Sequence, residues 1–503
     1  MKTIIVLMDT LRRDHLKCYN PQTDCIADNI TGFSKESCTF DNHFTGSLPC
    51  IPARRDLFTG RLNFLERSWG PIEIFDETLP KILNENGVRS HMITDHAHYF
   101  RIGGENYCQQ FNTYEFFRGQ ESDPWISLMD DPYMPETYFG DVKRQYQCNR
   151  TKFVKEEDYP SVQCFDAAID WVEKNRHAED FLLMVETFDP HEPFDIPEKY
   201  LDMYNDTYDG PHFNLPKYHK IDEETDEAMA HLRNRYKALL TMTDVHFGKF
   251  IDKLKEVNMY EDTMIILTTD HGYCLGEREY IGKSYMPCYN EICNIPLLIH
   301  YPQASFAGER RCAITQNIDI MPTILDYQNI PCPERVTGKS VKGIVENHEK
   351  GREYALYGTF GLSVNLFDGK YTYFRGPRDN TQCYEYTTSL TTIRDWLGKA
   401  IPEKIECGYF LPQVPFPVYK IPEVKNALVS DAVYHKEDHL FDIEEDYGQT
   451  REVADPEIRN MMEKKLSDAL ADNYAPEEQW ARLGLKKGSD SGYNSVSEYD
   501  YTV

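Results

Sequence analysis

The chain has 503 residues, 41% hydrophobic and 27% charged, with 54 Lys and Arg against 83 Asp and Glu, a net charge of −29. These figures describe a globular protein with ample core. They exclude a disordered chain and a small fold held by disulfides or metal. The acidity argues against duplex nucleic acid and anionic membrane surfaces as partners, and at first sight against any anionic substrate.

No apolar run exceeds five residues, too few to cross a bilayer. The first, Ile4 to Met8, is too early and too short for a signal peptide, so a cytoplasmic location is expected. The fourteen Cys include no Cys-x-x-Cys pair and read as buried thiols rather than a disulfide framework.

In chain order, Thr3 to Met8 reads as a strand ending in Asp9-Thr10, with Asp9 either a ligand or the cap of a following helix. Cys50 to Gly60 follows as a short helix, with Pro52 in its first turn and Gly60 as its stop. Cys50 would then stand at the helix N-terminus, where free N–H groups favour negative charge, with Arg54 one turn on and on the same face. Residues 99 to 139 are dense in aromatics, which suit either a specificity wall or core and subunit packing.

Phe181 to Glu186 is a second strand, running into Asp189-Pro190-His191. A helix follows with Tyr236, Leu239, Leu240, Thr243, Phe247, Phe250, Ile251 and Leu254 on one face. Met264 to Thr268 leads into Asp270-His271-Gly272, and Pro296 to His300 is a fourth run. Short unalternating strands between helices predict an α/β/α sandwich around a large, mostly parallel sheet over residues 1 to 345. From 346 to 486 the texture changes to a smaller α+β domain with an antiparallel sheet. It carries a hairpin at Val364 to Phe374, turning at Asp368-Gly369, and a late helix over Pro456 to Asn473. Residues 487 to 503 form a polar tail that a neighbouring subunit of a homo-oligomer would hold.

Three strands thus end in titratable clusters, and in open α/β sheets ligands sit beyond the strand C-termini. Asp9, Asp270 and His271 bring two carboxylates and an imidazole toward one divalent cation, with Thr10 as a further oxygen. Such a shell favours calcium, then magnesium or manganese, over zinc.

Cys50-x-Pro52-x-Arg54 with Thr59-Gly60 resembles the signature of the type I, formylglycine-dependent sulfatases of the alkaline phosphatase superfamily. The likeness continues through Asp9, His191-Glu192-Pro193, Asp270-His271-Gly272, Leu275-Gly276-Glu277, Lys283, Asp319 to Thr323 and Leu440 to Asp446. Ala53, where many sulfatases carry Ser, and Thr10, where many carry a second Asp, depart from it. The resemblance implies that a separate maturation enzyme oxidises Cys50 to formylglycine. Its hydrated aldehyde then attacks sulfur, and the second hydroxyl expels the bound sulfate.

It further implies that Asp9, Thr10, modified Cys50, Asp270 and His271 hold the cation, while Arg54 steadies the nucleophile. Lys283 and His191 would neutralise the sulfuryl oxygens or protonate the leaving oxygen. His98, with His96 beside it, would contact substrate or nucleophile. The expected substrate is a small aryl or carbohydrate sulfate monoester. The alternative within hydrolases is a phosphonate monoester or phosphodiester. A non-catalytic binding protein on the same fold would be expected to have lost Cys50, Arg54 or a metal carboxylate, and all are present.

The charge is also uneven. Residues 1 to 70 hold nine Lys or Arg and eight Asp or Glu, net +1, which leaves −30 on the remainder. A cation, Arg54 and Lys283 in one pocket would reverse the acidity locally. A long polysulfated chain would still meet repulsion beyond the screening length of about 8 to 10 Å.

Overall fold

The computed structural model describes residues 1–101, 104–378, 381–391, 405–412, 414–422 and 436–487. The expected polar tail, from residue 488 onward, lies outside the described residues.

The apolar runs form a sheet of eight strands: β1 (Lys2–Met8), β2 (Cys38–Phe44), β3 (Arg89–Thr94), β4 (Thr113–Phe116), β5 (Phe181–Thr187), β6 (Thr263–Thr268), β7 (Leu297–His300) and β8 (Arg310–Gln316). Their order is β8-β2-β7-β6-β1-β5-β3-β4. All neighbours pair in parallel except β7, which is antiparallel to both β6 and β2. The reason is the connection. Leu297 pairs with Thr268 and His300 with Ile265, so residues 269–296 leave and re-enter the sheet at the same end instead of crossing over.

β1 is buried on both faces. Ile4, Val6 and Met8 pack into a core with the helices Pro160–Lys174 and Asp226–Glu256. Ile5 and Leu7 face the helices Cys50–Thr59, Ile320–Tyr327 and Lys342–Asn347. Helices therefore cover both sides of the sheet, as the unalternating strands require. All eight positions expected on one face of the long helix are buried. That helix begins earlier than the apolar pattern suggests, because the Thr225 hydroxyl caps it by accepting from the Ala228 N–H at 3.2 Å. Asp226 and Glu227 thus fall in its first turn, where they meet the positive end of the helix dipole.

The C-terminal strands Ala355–Thr359, Val364–Phe367, Tyr371–Arg375 and His439–Asp442 form a second sheet, with the late helix at Pro456–Asp472. Its fifth strand, Ser47–Leu48, comes from the N-terminal portion and pairs in parallel with Gly358–Thr359. The C-terminal sheet thereby fixes the segment that leads into Cys50. All fourteen Cys are free thiols, and ten of them are buried. Among the described residues no helix is long and apolar enough to cross a membrane.

Candidate active site

The parallel register sets Met8 opposite Thr187 and Leu7 opposite Thr268, so three polar segments leave the sheet at one level. Asp9 is fully buried, and its N–H donates to the Thr187 carbonyl at 2.9 Å. Its carboxylate caps no helix. One oxygen meets Arg54 Nη2 at 2.8 Å and the other accepts from the Thr10 hydroxyl at 2.7 Å. Thr10 takes φ 65°, a left-handed conformation that strains a β-branched residue. It is held there by its N–H to Asp270 Oδ1 at 3.1 Å and its carbonyl to the Tyr236 hydroxyl at 2.9 Å.

Cys50 is the first residue of the helix Cys50–Thr59, every residue of which is buried. Gly60 ends it at φ 62°, where its N–H closes onto the Asp56 carbonyl. Arg54 lies over Cys50, with Nη1 donating to the Cys50 carbonyl at 3.0 Å. Its guanidinium is saturated by carboxylates: Asp9, Asp270 through Nη1, and Glu186 through Nε at 2.6 Å. Glu186 also accepts from Thr94 and Tyr99. No motif marked it; the available signal was a charged residue closing an otherwise apolar strand.

Asp9, Cys50, Asp270 and His271 each direct a donor atom into one cluster, all within 4.8 Å of one another. His271 Nδ1 lies 3.0 Å from the Gly272 carbonyl, which only accepts, so that nitrogen carries the proton. Burial lowers the ring's pKa, so the ring is neutral and Nε2 presents a lone pair. That lone pair is 3.2 Å from an Asp270 oxygen and 3.3 Å from Cys50 Sγ. Two carboxylates, an imidazole lone pair and a sulfur converging in one dry site form a donor set that suits a divalent ion. Thr10 adds a hydroxyl beside it.

Lys283 Nζ approaches Thr10 Oγ1 at 3.3 Å, Cys50 Sγ at 3.5 Å and Asp9 at 3.9 Å. Burial alone would raise the Asp9 carboxyl, but the charges of Arg54 and Lys283 outweigh it and hold the group at about 2. Burial, reinforced by Asp9, pushes the Cys50 thiol well above its ordinary range.

A cavity of about 300 Å³ opens on this cluster, lined by Cys50, Trp69, His98, His191, Tyr218 and Lys283 among others. His98 Nε2 pairs with Glu121 at 2.8 Å, and Lys143 holds the other Glu121 oxygen at 3.1 Å. His96 is not in the cavity wall; it is fully buried behind it, 3.5 Å from Arg54 and 3.7 Å from Asp9. None of the aromatic rings of residues 99–139 lines this cavity. Tyr99 is core and Tyr133 is 80% exposed, and the walls are Trp69 and Tyr218 instead. A larger cleft of about 670 Å³, lined by Arg13, Tyr19 and Tyr447, contains none of these groups.

A protein-family model described as Sulfatase matches residues 2–330. The uncharacterised sulfatase YidJ of Escherichia coli is 25% identical over 375 residues, 68% of this chain and 71% of its own. An arylsulfatase of Clostridium perfringens is 24% identical over 407 residues, 72% of this chain and 82% of its own. Among solved structures, the phosphonate monoester hydrolase of Agrobacterium radiobacter superposes with a TM-score of 0.68 at 17% identity, covering 94% of this chain and 96% of that one.

Proposed function

The chain belongs to the sulfatase family, a hydrolase family of the alkaline phosphatase-like superfamily, and on that premise we propose that it hydrolyses a small aryl or carbohydrate sulfate monoester to release sulfate. The observation that carries this reading is the buried convergence of Asp9, Cys50, Asp270 and His271, with Lys283 Nζ 3.5 Å from Cys50 Sγ.

Asp9, Asp270, His271 and the residue-50 side chain would hold the cation, with Thr10 at its edge. Oxygen-rich ligation favours calcium, with magnesium or manganese next. When bound, such a cation supplies Lewis-acid charge that eases deprotonation of an adjacent hydroxyl and offsets charge on the transferring group. Cys50, once a maturation enzyme has converted it to formylglycine, presents that hydroxyl.

Arg54 fixes the positions of Asp9, Asp270 and the Cys50 backbone. Lys283 meets the sulfuryl oxygens, and His191 and His98 face the organic part of the ester from the cavity wall. His96 acts from behind, through Arg54 and Asp9. At about 300 Å³ the cavity is near the small end of ligand sites, roughly 300 to 1,000 Å³, which suits a small ester rather than a polymer segment.

The test is kinetic. Protein co-expressed with a maturation enzyme is offered nitrophenyl sulfate, a nitrophenyl phosphodiester and a nitrophenyl phosphonate monoester. Fastest turnover of the sulfate is expected; a diester or phosphonate turned over far faster replaces this reading with the phosphoryl one. Mass spectrometry of the Cys50 peptide should show a loss of about 18 Da, H₂S exchanged for O. An intact thiol together with no turnover of any ester would favour a binding protein.

A further inference from the structure

The larger cleft, of about 670 Å³, shares no lining residue with the catalytic cavity and gathers polar atoms that the fold leaves unused. It opens between the loop after β1, the turn from Asn290 to Asn294, and the C-terminal segment 443–447. Asn290 is 1% exposed and Asn294 3%, and both line it. Asn290 Nδ2 donates to the Tyr447 carbonyl at 2.9 Å, which fixes the amide and leaves Oδ1 as the acceptor. That oxygen and the Asn294 Oδ1 are buried, with no hydrogen-bond partner among the described residues. Buried amide oxygens without a donor cost stability unless a ligand supplies one.

Arg13 crosses the same cleft. Its guanidinium lies 4.3 Å from the centroid of the Tyr19 ring. Nη1 donates to the Tyr447 hydroxyl at 3.3 Å and Nη2 to the Asp41 carbonyl at 3.2 Å. Nε is buried with no acceptor among the described residues. The carboxylates of the lining are already matched: Asp14 by Arg12, Asp41 by Arg310, Glu291 by Arg278 and Glu444 by Lys370. Two acceptors and one donor therefore stand open, with no unpaired carboxylate to recruit a metal ion.

We propose that this cleft is a carbohydrate-binding site, separate from the catalytic cavity, in which sugar hydroxyls donate to Asn290 and Asn294 and accept from Arg13. A hydroxyl both donates and accepts, so a ring carrying several meets the whole open set. An inorganic anion would answer Arg13 and leave both amide oxygens unmet, and a metal ion would do the reverse. Tyr447, 42% exposed, offers a flat apolar surface to the C–H face of a ring. A peptide would look for a sheet edge or apolar anchor pockets, and Ile443 is the one aliphatic side chain among the described residues of the lining. The cleft is about twice the size of the catalytic cavity, about 670 against about 300 Å³, and within the range of small-molecule sites.

Binding is read from unfolding curves, because a ligand that takes only the folded state raises Tm with its occupancy. The probes are hexose and hexosamine trisaccharides, each unsulfated and with one sulfate, at up to about 10 mM. At least one should raise the Tm of the full chain saturably. Arg13→Met and Asn294→Leu should each weaken that binding by about tenfold or more and leave turnover of nitrophenyl sulfate unchanged. Asn294→Leu carries a second signature. Deleting an unmet amide should leave the unliganded protein as stable as wild type or more so, as expected of a binding group and not of a structural one. Equal binding of both forms would show that hydroxyls alone are read, and preference for the sulfated form that Arg13→Met abolishes would add the guanidinium charge.

No saturable shift with any probe would overturn the assignment, as would a shift that survives both substitutions. Should Asn294→Leu not fold, Arg13→Met decides together with hydrogen exchange on the wild type. The bound sugar should slow exchange in residues 13–20, 290–294 and 443–447, and protection confined to the segments around His98, His191 and Lys283 would place it in the catalytic cavity and refute the separate site. The inference does not depend on the ester-hydrolase reading: sugar binding in matured protein that turns over no ester would sink that reading and leave this one standing.

Discussion

The floor and the rim of the cavity are built on opposite principles. The floor, comprising Asp9, Cys50, Arg54, Glu186, Asp270 and His271, comes from strand ends and one helix, and none of these residues is more than 2% exposed. Each charge there is met by a protein charge, because no water can serve in its place. The rim comes from loops: Trp69, His98, Glu121, Lys143, Lys217 and Tyr218. There Lys143 is 41% exposed, and solvent can replace a lost partner. Removing one partner of a buried pair costs about 3–5 kcal/mol, whereas an exposed pair contributes about 0–1 kcal/mol. The floor is therefore over-determined and sets the chemistry. At its exposed members, such as Lys143, the rim can change cheaply.

The contrast can be broken first at the nucleophile. Cys50→Ala should abolish turnover, by at least about 10⁴-fold, because no rim residue offers an equivalent route. Circular dichroism should be unchanged, and residual activity near wild type would mean that the Cys50 motif is decorative. Asp270→Asn comes next: after chelation and re-addition of the ion, affinity for the cation should fall by about 100-fold or more. Unchanged metal content would remove Asp270 from the shell. Glu186→Ala touches no substrate, yet it deprives Arg54 of its Nε partner. It should lower unfolding free energy by about 3–5 kcal/mol, read from denaturant titration. A loss below about 1 kcal/mol would show that the floor is as adaptable as the rim.

The sequence made most of the floor readable and, apart from His98, left the rim hidden, for a physical reason. Asp9, Asp270 and His271 follow apolar strands, and parallel register then brings their positions together. Cys50 and Arg54 are one helical turn apart, so local spacing alone puts them on one face. Glu186 escaped notice because strand periodicity carries no information about what a buried charge at its end will meet. The rim joins residues 69, 98, 121, 143 and 218, whose proximity depends on how loops fold back, and no short-range pattern encodes that. The aromatic density of 99–139 suited either a wall or core packing; the structure puts Tyr99 in the core and Tyr133 in solvent, and Trp69 and Tyr218 line the cavity instead. The antiparallel β7 was equally invisible, since its composition matches its parallel neighbours and only the connection reverses it.

The smallest expected effect lies at the rim and sharpens the comparison most. Burial would raise the Glu121 carboxyl, but the hydrogen bond and charge of His98, with Lys143, outweigh it and hold the group well below its usual 4.5. A depressed carboxyl contributes stability above its unfolded pKa and loses it as pH falls from there through the folded value. Glu121 also sits at φ 47°, a strained conformation that Glu and Gln share equally, so Glu121→Gln isolates the charge. The variant should be less stable than wild type by about 1 kcal/mol at pH 7, since two of the three cations around Glu121, Lys143 and Arg101 (3.6 Å away), are partly solvated. The gap should hold from pH 8 to about pH 5 and close as pH falls below 4.5. A gap that persists unchanged to the acid limit would mean that Gln fails for reasons of shape, as a floor residue would, and the boundary between the two regions would have to be drawn outside Glu121.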